Sequence, residues 1–245
     1  MNNNFNNFIK DVGEFNISLT DYQLEQLEKY YELLIEWNEK INLTAITDFN
    51  DVCKLHFVDS ISAAKIFDFS DQNYSLIDIG TGAGLPGIVL KIVFPKLNIT
   101  LLDSLQKRIN FLDTVIEKLD LNTEGKIVTV HGRAEDLADY KKGELREKYD
   151  IAVSRAVAKF STLCEYDLPF VKVGGKFIAY KGDKGTEEIA EAKNALYLLG
   201  GKINIKEEFN LPNSDIRRTI CIIDKVQKTS SKYPRKAGTP QKNPL

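Results

Sequence analysis

The sequence predicts an α/β fold in which a mostly parallel, Rossmann-like sheet is closed by a C-terminal antiparallel hairpin and preceded by an N-terminal helical extension. Three observations carry the prediction. Leu76, Ile77 and Ile79 form a short apolar run that ends in a glycine-rich turn, as a buried parallel strand does at its C-terminal end. From there to residue 199, β-prone apolar segments alternate with helical ones, which implies right-handed βα units and a sheet covered on both faces. The last two apolar segments, 202–209 and 218–223, have no helix of usable length between them, so they pair as a hairpin through residues 211–215.

The helical extension begins at Thr20, where Thr20-x-x-Gln23 reads as a capping box. Leu24, Leu27, Tyr31, Leu34, Trp37 and Ile41 follow at spacings of three and four as one apolar stripe, while Glu25, Glu28, Lys29 and Glu32 mark the solvated faces. A second helix is predicted over 51–67. It carries His56 and Asp59, which as i,i+3 neighbours read as a structural contact rather than an acid–base pair. Beyond the strand at Leu76, further strands are predicted at 98–102, 126–130, 149–154 and 176–180, the last introduced by Gly174-Gly175. Helices are predicted over 85–94, 106–119, 160–173, where Pro169 interrupts, and 187–199. The chain accordingly divides into the helical extension (1–70), the sheet domain (71–225) and a basic tail (226–245).

With 245 residues, 43% of them hydrophobic, the chain can bury a substantial core, and a net charge of −2 leaves any nucleic-acid binding to local charge. Cys53, Cys164 and Cys221 are widely spaced and lack a CxxC pattern, so neither disulfides nor a metal site is expected. The N-terminus has no basic region followed by an apolar core, and no apolar run approaches the ~18 residues of a membrane span. A cytoplasmic monomer without a membrane partner is expected. After Asp224 the chain contains Lys225, Lys228, Lys232, Arg235, Lys236 and Lys242 with no acidic side chain. That tail is either a solubilising extension or an arm that lies along phosphates.

In a doubly wound sheet the ligand lies beyond the carboxyl ends of the strands, where strand order reverses. Four loops therefore converge on one site. The first follows Asp78, and its Gly80, Gly82 and Gly84 let a ligand approach main-chain N–H groups. Gly82-x-Gly84-x-x-Gly87 formally fits the dinucleotide fingerprint, whereas Asp78 with the three alternating glycines and Leu85 fits a loop that admits S-adenosylmethionine, which has no phosphate. The closing hairpin favours the second reading, because seven-stranded S-adenosylmethionine-dependent methyltransferases end that way. The second loop starts at Asp103, whose carboxylate can accept from both ribose hydroxyls or cap the next helix. The third offers Ala134 and Glu135 to adenine, with helix capping as the alternative.

The fourth loop, Ser154-Arg155-Ala156, stands where many amino-methylating enzymes carry an Asn/Asp-Pro-Pro-aromatic motif. Its absence narrows the chemistry. Methylation of an exocyclic amine is helped by acceptors that relieve its proton, and C5 methylation of a pyrimidine needs a cysteine nucleophile, for which Cys164, within a predicted helix, is poorly placed. Guanine N7 carries an in-plane lone pair and no hydrogen, so it needs no general base. Arg155 could then hold guanine O6, a phosphate or the cofactor's methionine carboxylate.

The chain strongly resembles the bacterial 16S rRNA guanine-N7 methyltransferase family, also known as glucose-inhibited division protein B. The resemblance is carried by Trp37-Asn38-Glu39-Lys40-Ile41-Asn42-Leu43-Thr44, His56-Phe57-x-Asp59-Ser60, Asp78-x-Gly80-x-Gly82-x-Gly84-Leu85-Pro86-Gly87 and Asp103-Ser104-Leu105-x-Lys107-Arg108. It continues through Arg133-Ala134-Glu135, Ser154-Arg155-Ala156-Val157, Lys181-Gly182 and the tail Lys232-Tyr233-Pro234-Arg235-Lys236-x-Gly238-Thr239-Pro240. It implies S-adenosylmethionine-dependent methylation of a guanine in the 530 loop of 16S rRNA, free or in the small ribosomal subunit. It places cofactor contacts at Gly80, Leu85, Ala134, Glu135 and Arg155, to which chemistry adds Asp103. Lys107, Arg108, Arg155, Lys181 and the tail's Lys232, Arg235 and Lys236 are the expected RNA contacts. The alternatives are a nucleotide-dependent oxidoreductase and a cofactor-binding regulator without catalysis.

Overall fold

A computed structural model describes residues 4–155 and 158–245. Its sheet has seven strands in the order β3-β2-β1-β4-β5-β7-β6. These are β1 (Ser75–Ile79), β2 (Asn98–Asp103), β3 (Ile127–His131), β4 (Tyr149–Arg155), β5 (Val171–Lys181), β6 (Gly201–Asn210) and β7 (Arg217–Lys225). The first five run parallel, and β7 enters antiparallel between β5 and β6. The expected closing hairpin is present, from Gly201 to Lys225. Chain direction reverses its lateral progress between β1 and β4, so a crevice opens beyond the carboxyl ends of these strands.

The helical extension holds more than the sequence predicts. A short helix, α1 (Asn6–Gly13), precedes the capped one and buries Phe8 and Val12, with Phe8 meeting Phe57 edge-on at 6.1 Å. Its eight residues lie below the length at which periodicity is legible. Helix α2 (Asp21–Ile41) starts at the reciprocal Thr20–Gln23 capping box, and Gln23 Nε2 also donates to Ile92 O at 2.8 Å. The stripe is centred on Leu27, Tyr30 and Leu34; Tyr31 lies at its rim and donates its hydroxyl to Thr47 O.

The helix predicted over 51–67 is composite. It runs as α3 (Phe49–Val52), widens to a π-helical segment (Cys53–Val58), and returns as α4 (Asp59–Ile61) before a 3-10 turn (Ser62–Lys65). Such widened turns recur at functional sites because they re-aim side chains.

On the sheet pack α5 (Gly87–Val93), α6 (Gln106–Lys118), α7 (Ala134–Leu137), α8 (Phe160–Asp167), α9 (Gly185–Glu191) and α10 (Lys193–Leu199). Two of the predicted helices are corrected. Pro169 sits in a 3-10 turn after α8 ends at Asp167, and β5 already begins at Val171, so Gly174-Gly175 lies inside the strand where its register against β4 shifts. The segment 187–199 breaks at Ala192 into α9 and α10. One core joins α2, α4, α5 and α6 to one face of the sheet, and a second, around Phe160, Phe177 and Leu199, covers the other. Among the described residues, no helix is long and apolar enough to cross a membrane.

The segment after β7 packs along the body and ends in a helical turn, α11 (Thr239–Lys242). Arg146 donates to the carbonyls of Thr229 at 2.6 Å and Tyr233 at 2.8 Å, while Thr229, Pro234 and Pro240 are buried. The reading of a disordered solubilising extension is therefore replaced by a docked segment, on which Lys232 and Lys236 remain exposed.

Candidate active site

The β1 turn is braced from beneath. Asp78 is buried; its Oδ2 accepts from Thr81 Oγ1 at 2.6 Å and from the Gly87 N–H at 2.8 Å. Burial pushes its carboxyl up to about 6. Asp78 is absent from the cleft lining, so its expected role as a cofactor contact gives way to that of a loop brace.

Gly80 and Gly82 have φ of 68° and 62° and line the cleft. Gly84 (φ 94°) does not: a Cβ there would stand 2.5 Å from Ile88 Cγ1 and 2.9 Å from Leu112 Cδ2. A Cβ on Gly87 would lie 2.4 Å from Leu101 Cδ2. Two of the three glycines of the apparent dinucleotide fingerprint thus serve close packing, and Gly84 is corrected from a ligand-admitting position to a packing one.

The cleft consists of two chambers, of about 180 and about 680 Å³, which share Gly80, Asp103 and Ser104. Asp103, 2% exposed at the end of β2, stands at this junction. Its Oδ1 accepts from the Leu105 N–H at 2.9 Å, and its Oδ2 accepts from the Gly82 N–H at 3.0 Å and Arg108 Nη1 at 3.2 Å. The carboxylate thereby ties the β1 turn to the start of α6. The smaller chamber is walled by Leu102, Ala134 and Tyr166. Glu135 also lines it, but its Oε1 is taken by the Gly238 N–H at 2.7 Å, so that oxygen fastens the C-terminal segment instead of facing a ligand.

The larger chamber is walled by Leu43, Leu85 and the π-helical segment. Arg155, at the end of β4, donates from Nη1 to Leu55 O at 3.0 Å and to Asp59 Oδ2 at 2.9 Å. Arg218 of β7 donates from Nε to the other oxygen of Asp59 at 2.7 Å. Asp59 therefore holds two guanidinium groups. His56 does not pair with it; its Nε2 lies 2.8 Å from Thr44 Oγ1, and burial together with nearby Arg155 pushes the imidazole down to about 4, leaving it neutral at pH 7. Arg218 and Thr44 are site residues that sequence reasoning missed. Thr44 lies in a motif that carries the family resemblance, whereas nothing local distinguishes Arg218 from its neighbour Arg217 on an exposed strand end.

The expected RNA contacts separate by partner. Lys107 is exposed at the start of α6, and Arg108 lines the larger chamber. Lys232 and Lys236 are exposed. Lys181 is turned inward, 2.7 Å from Glu188 Oε2 and with 9% of its side chain exposed. Arg235 is engaged with fully buried Glu165, Nη2 to Oε2 at 2.6 Å. These last two are paired with acids within the protein. Ala156 and Val157, also quoted for the resemblance, lie outside the described residues. Cys164 is fully buried, and burial raises its thiol well above the usual range, which removes it as a nucleophile.

Comparisons with known proteins bear on the fold and the family. A solved SAM dependent methyltransferase from Aquifex aeolicus, 17% identical, shares the fold with a TM-score of 0.50 over 72% of this chain and 93% of that one. The Ribosomal RNA small subunit methyltransferase G of Acetivibrio thermocellus is 53% identical over 97% of this chain and 95% of its own. That of Bacillus cytotoxicus is 50% identical over 99% of both. Residues 23–216 match the GidB family, described as rRNA small subunit methyltransferase G. A full-length likeness at this identity, on a seven-stranded sheet with its cleft at the β1–β4 reversal, places the chain: it belongs to the GidB family of rRNA small subunit methyltransferases.

Proposed function

We propose that this protein transfers the methyl group of S-adenosylmethionine to N7 of a guanine in the 530 loop of 16S rRNA, acting as a cytoplasmic monomer. The observation that carries the N7 assignment is the state of the acids around the larger chamber. Asp59 is held by Arg155 and Arg218, and Asp103 by two backbone N–H groups and Arg108, while His56 is a weak base already bonded to Thr44. The two carboxylates are committed to these donors and burial disfavours a protonated His56, whereas N7, the most nucleophilic ring nitrogen of guanine, has an in-plane lone pair and no hydrogen and asks for no base.

The residues present fit S-adenosylmethionine. The smaller chamber offers the apolar surfaces of Leu102, Ala134 and Tyr166 to an adenine, and Asp103 at the junction offers carboxylate lone pairs to ribose hydroxyls. Gly80 and Gly82 leave room where the chambers meet. When bound, the cofactor supplies an electrophilic methyl on a sulfonium.

The protein's own part is positioning. Leu43, Leu55 and Leu85 supply the apolar part of the larger chamber's wall. Among the described residues, Nε and Nη2 of Arg155 have no acceptor, and they remain available to O6 or a phosphate. Asp59 fixes the guanidinium plane. Exposed Lys107, Lys232 and Lys236 would meet the RNA backbone.

Labelled methyl transfer to 16S rRNA from a strain lacking the enzyme, followed by reduction and aniline cleavage, tests the assignment. Cleavage at one guanine of the 530 loop is expected. Label on an exocyclic amine, or none at all, would overturn it.

A further inference from the structure

The C-terminal segment is pinned at three points. The Gly238 N–H donates to Glu135 Oε1 at 2.7 Å, Arg235 grips both oxygens of Glu165, and the carbonyl of buried Pro240 accepts from Thr162 Oγ1 at 3.2 Å. Glu165 adjoins Tyr166, and Glu135 adjoins Ala134; Tyr166 and Ala134 both line the smaller chamber. The segment is therefore fastened to the chamber's own walls. Carried by these anchors, Gln241 of α11 lines the same chamber.

We infer that the C-terminal segment is the outer wall of the nucleoside chamber and that Gln241 is a specificity-determining residue whose amide meets the 6-amino edge of adenine. The inference rests on S-adenosylmethionine being the ligand of this cleft. An amide both donates and accepts, and the adenine edge presents N6–H as donor beside a ring nitrogen as acceptor. Asp103 and the glycine turn address groups common to every nucleoside. Base identity must therefore be read in the smaller chamber, where Leu102 and Ala134 are apolar, Glu135 Oε1 is taken by the Gly238 N–H and Arg133 Nε lies 3.6 Å from Glu135 Oε2. This leaves the Gln241 amide, beside Ser104 and Tyr166, to address the base edge. Because ligand contact favours the docked segment, docking and cofactor binding are thermodynamically linked. The basic tail thus belongs to the cofactor site as well as to any RNA surface.

Calorimetric titration of the full-length protein and of Gln241→Ala with S-adenosylhomocysteine and its 6-deamino analogue tests this. Gln241 is exposed, so the variant is expected to fold, and an unchanged melting temperature checks it. The wild type should prefer S-adenosylhomocysteine about fivefold, the value of one neutral hydrogen bond, and the variant should lose that preference. Hydrogen exchange at 238–242 should slow on ligand binding in the wild type and less so in the variant. A variant that keeps the wild-type preference, with no change in exchange, overturns the inference while leaving the methyltransferase reading intact. Failure of the wild type to bind S-adenosylhomocysteine overturns that reading and this inference with it.

Discussion

Asp59→Ala should be among the most damaging single substitutions in the larger chamber. The side chains of Asp59, Arg155 and Arg218 are 7%, 11% and 19% exposed, and the carboxylate accepts from both arginines at 2.9 and 2.7 Å. Removing it leaves two guanidinium groups close together, without a counter-charge and largely out of water. Breaking a buried pair from one side costs about 3 to 5 kcal/mol. At roughly 2 to 4 °C per kcal/mol for a chain of this size, melting should fall by about 10 °C. Circular dichroism would measure the shift, and methyl transfer below the new melting point would report positioning. A second substitution, Arg218→Met, should return part of the stability by removing one of the stranded charges, yet leave methyl transfer low. If Asp59→Ala melts like the wild type, or if Arg218→Met in that background lowers stability further, the carboxylate is not the hub described above.

Asp103→Ala should weaken S-adenosylhomocysteine binding by about 1 to 3 kcal/mol, read by calorimetry, because charge-assisted hydrogen bonds to ribose are lost; unchanged affinity would remove Asp103 from the ribose site. His56, pushed down to about 4 from an unfolded value near 6.5, favours the folded state fully above pH 6.5 and loses that contribution as pH falls toward 4. His56→Gln should therefore flatten urea-derived stability between pH 7 and pH 5, where the wild type loses about 2 kcal/mol from this group, and an equal slope in both proteins would exclude it. Arg235→Ala should lower stability by about 3 kcal/mol by stranding buried Glu165 while leaving the salt slope of rRNA binding intact, whereas Lys107→Ala should reduce that slope by about one. The reverse pattern would return Arg235 to the RNA surface.

Much of the fold was legible because its signals are local. A strand buried on both faces reads as an apolar run, a capped helix begins at Thr20-x-x-Gln23, and two β-prone segments with no helix between them form a hairpin. Element ends were less legible, since Pro169 and Ala192 interrupt patterns whose continuation depends on what packs beside them. Of the candidate site, the converging loops followed from topology: Gly80, Gly82, Leu85, Asp103, Ala134, Glu135 and Arg155 all line the cleft. Gly84 and Asp78 do not, because a glycine needed for packing and a carboxylate needed beneath a turn look the same in sequence as ligand contacts.

By itself, then, the sequence determined the alternation of elements, the parallel sheet with its antiparallel closure, and the strand ends at which a ligand could sit. Tertiary structure decided what each charge does. Arg155 and Arg218 meet Asp59 from positions 96 and 159 residues away, and Arg235 meets Glu165 across 70. A cation's fate, solvated on a surface or committed to a buried carboxylate, depends on whether folding delivers an acid to it. Desolvation makes an unpaired buried charge costly, so the long-range partner sets the role and the local pattern does not record it.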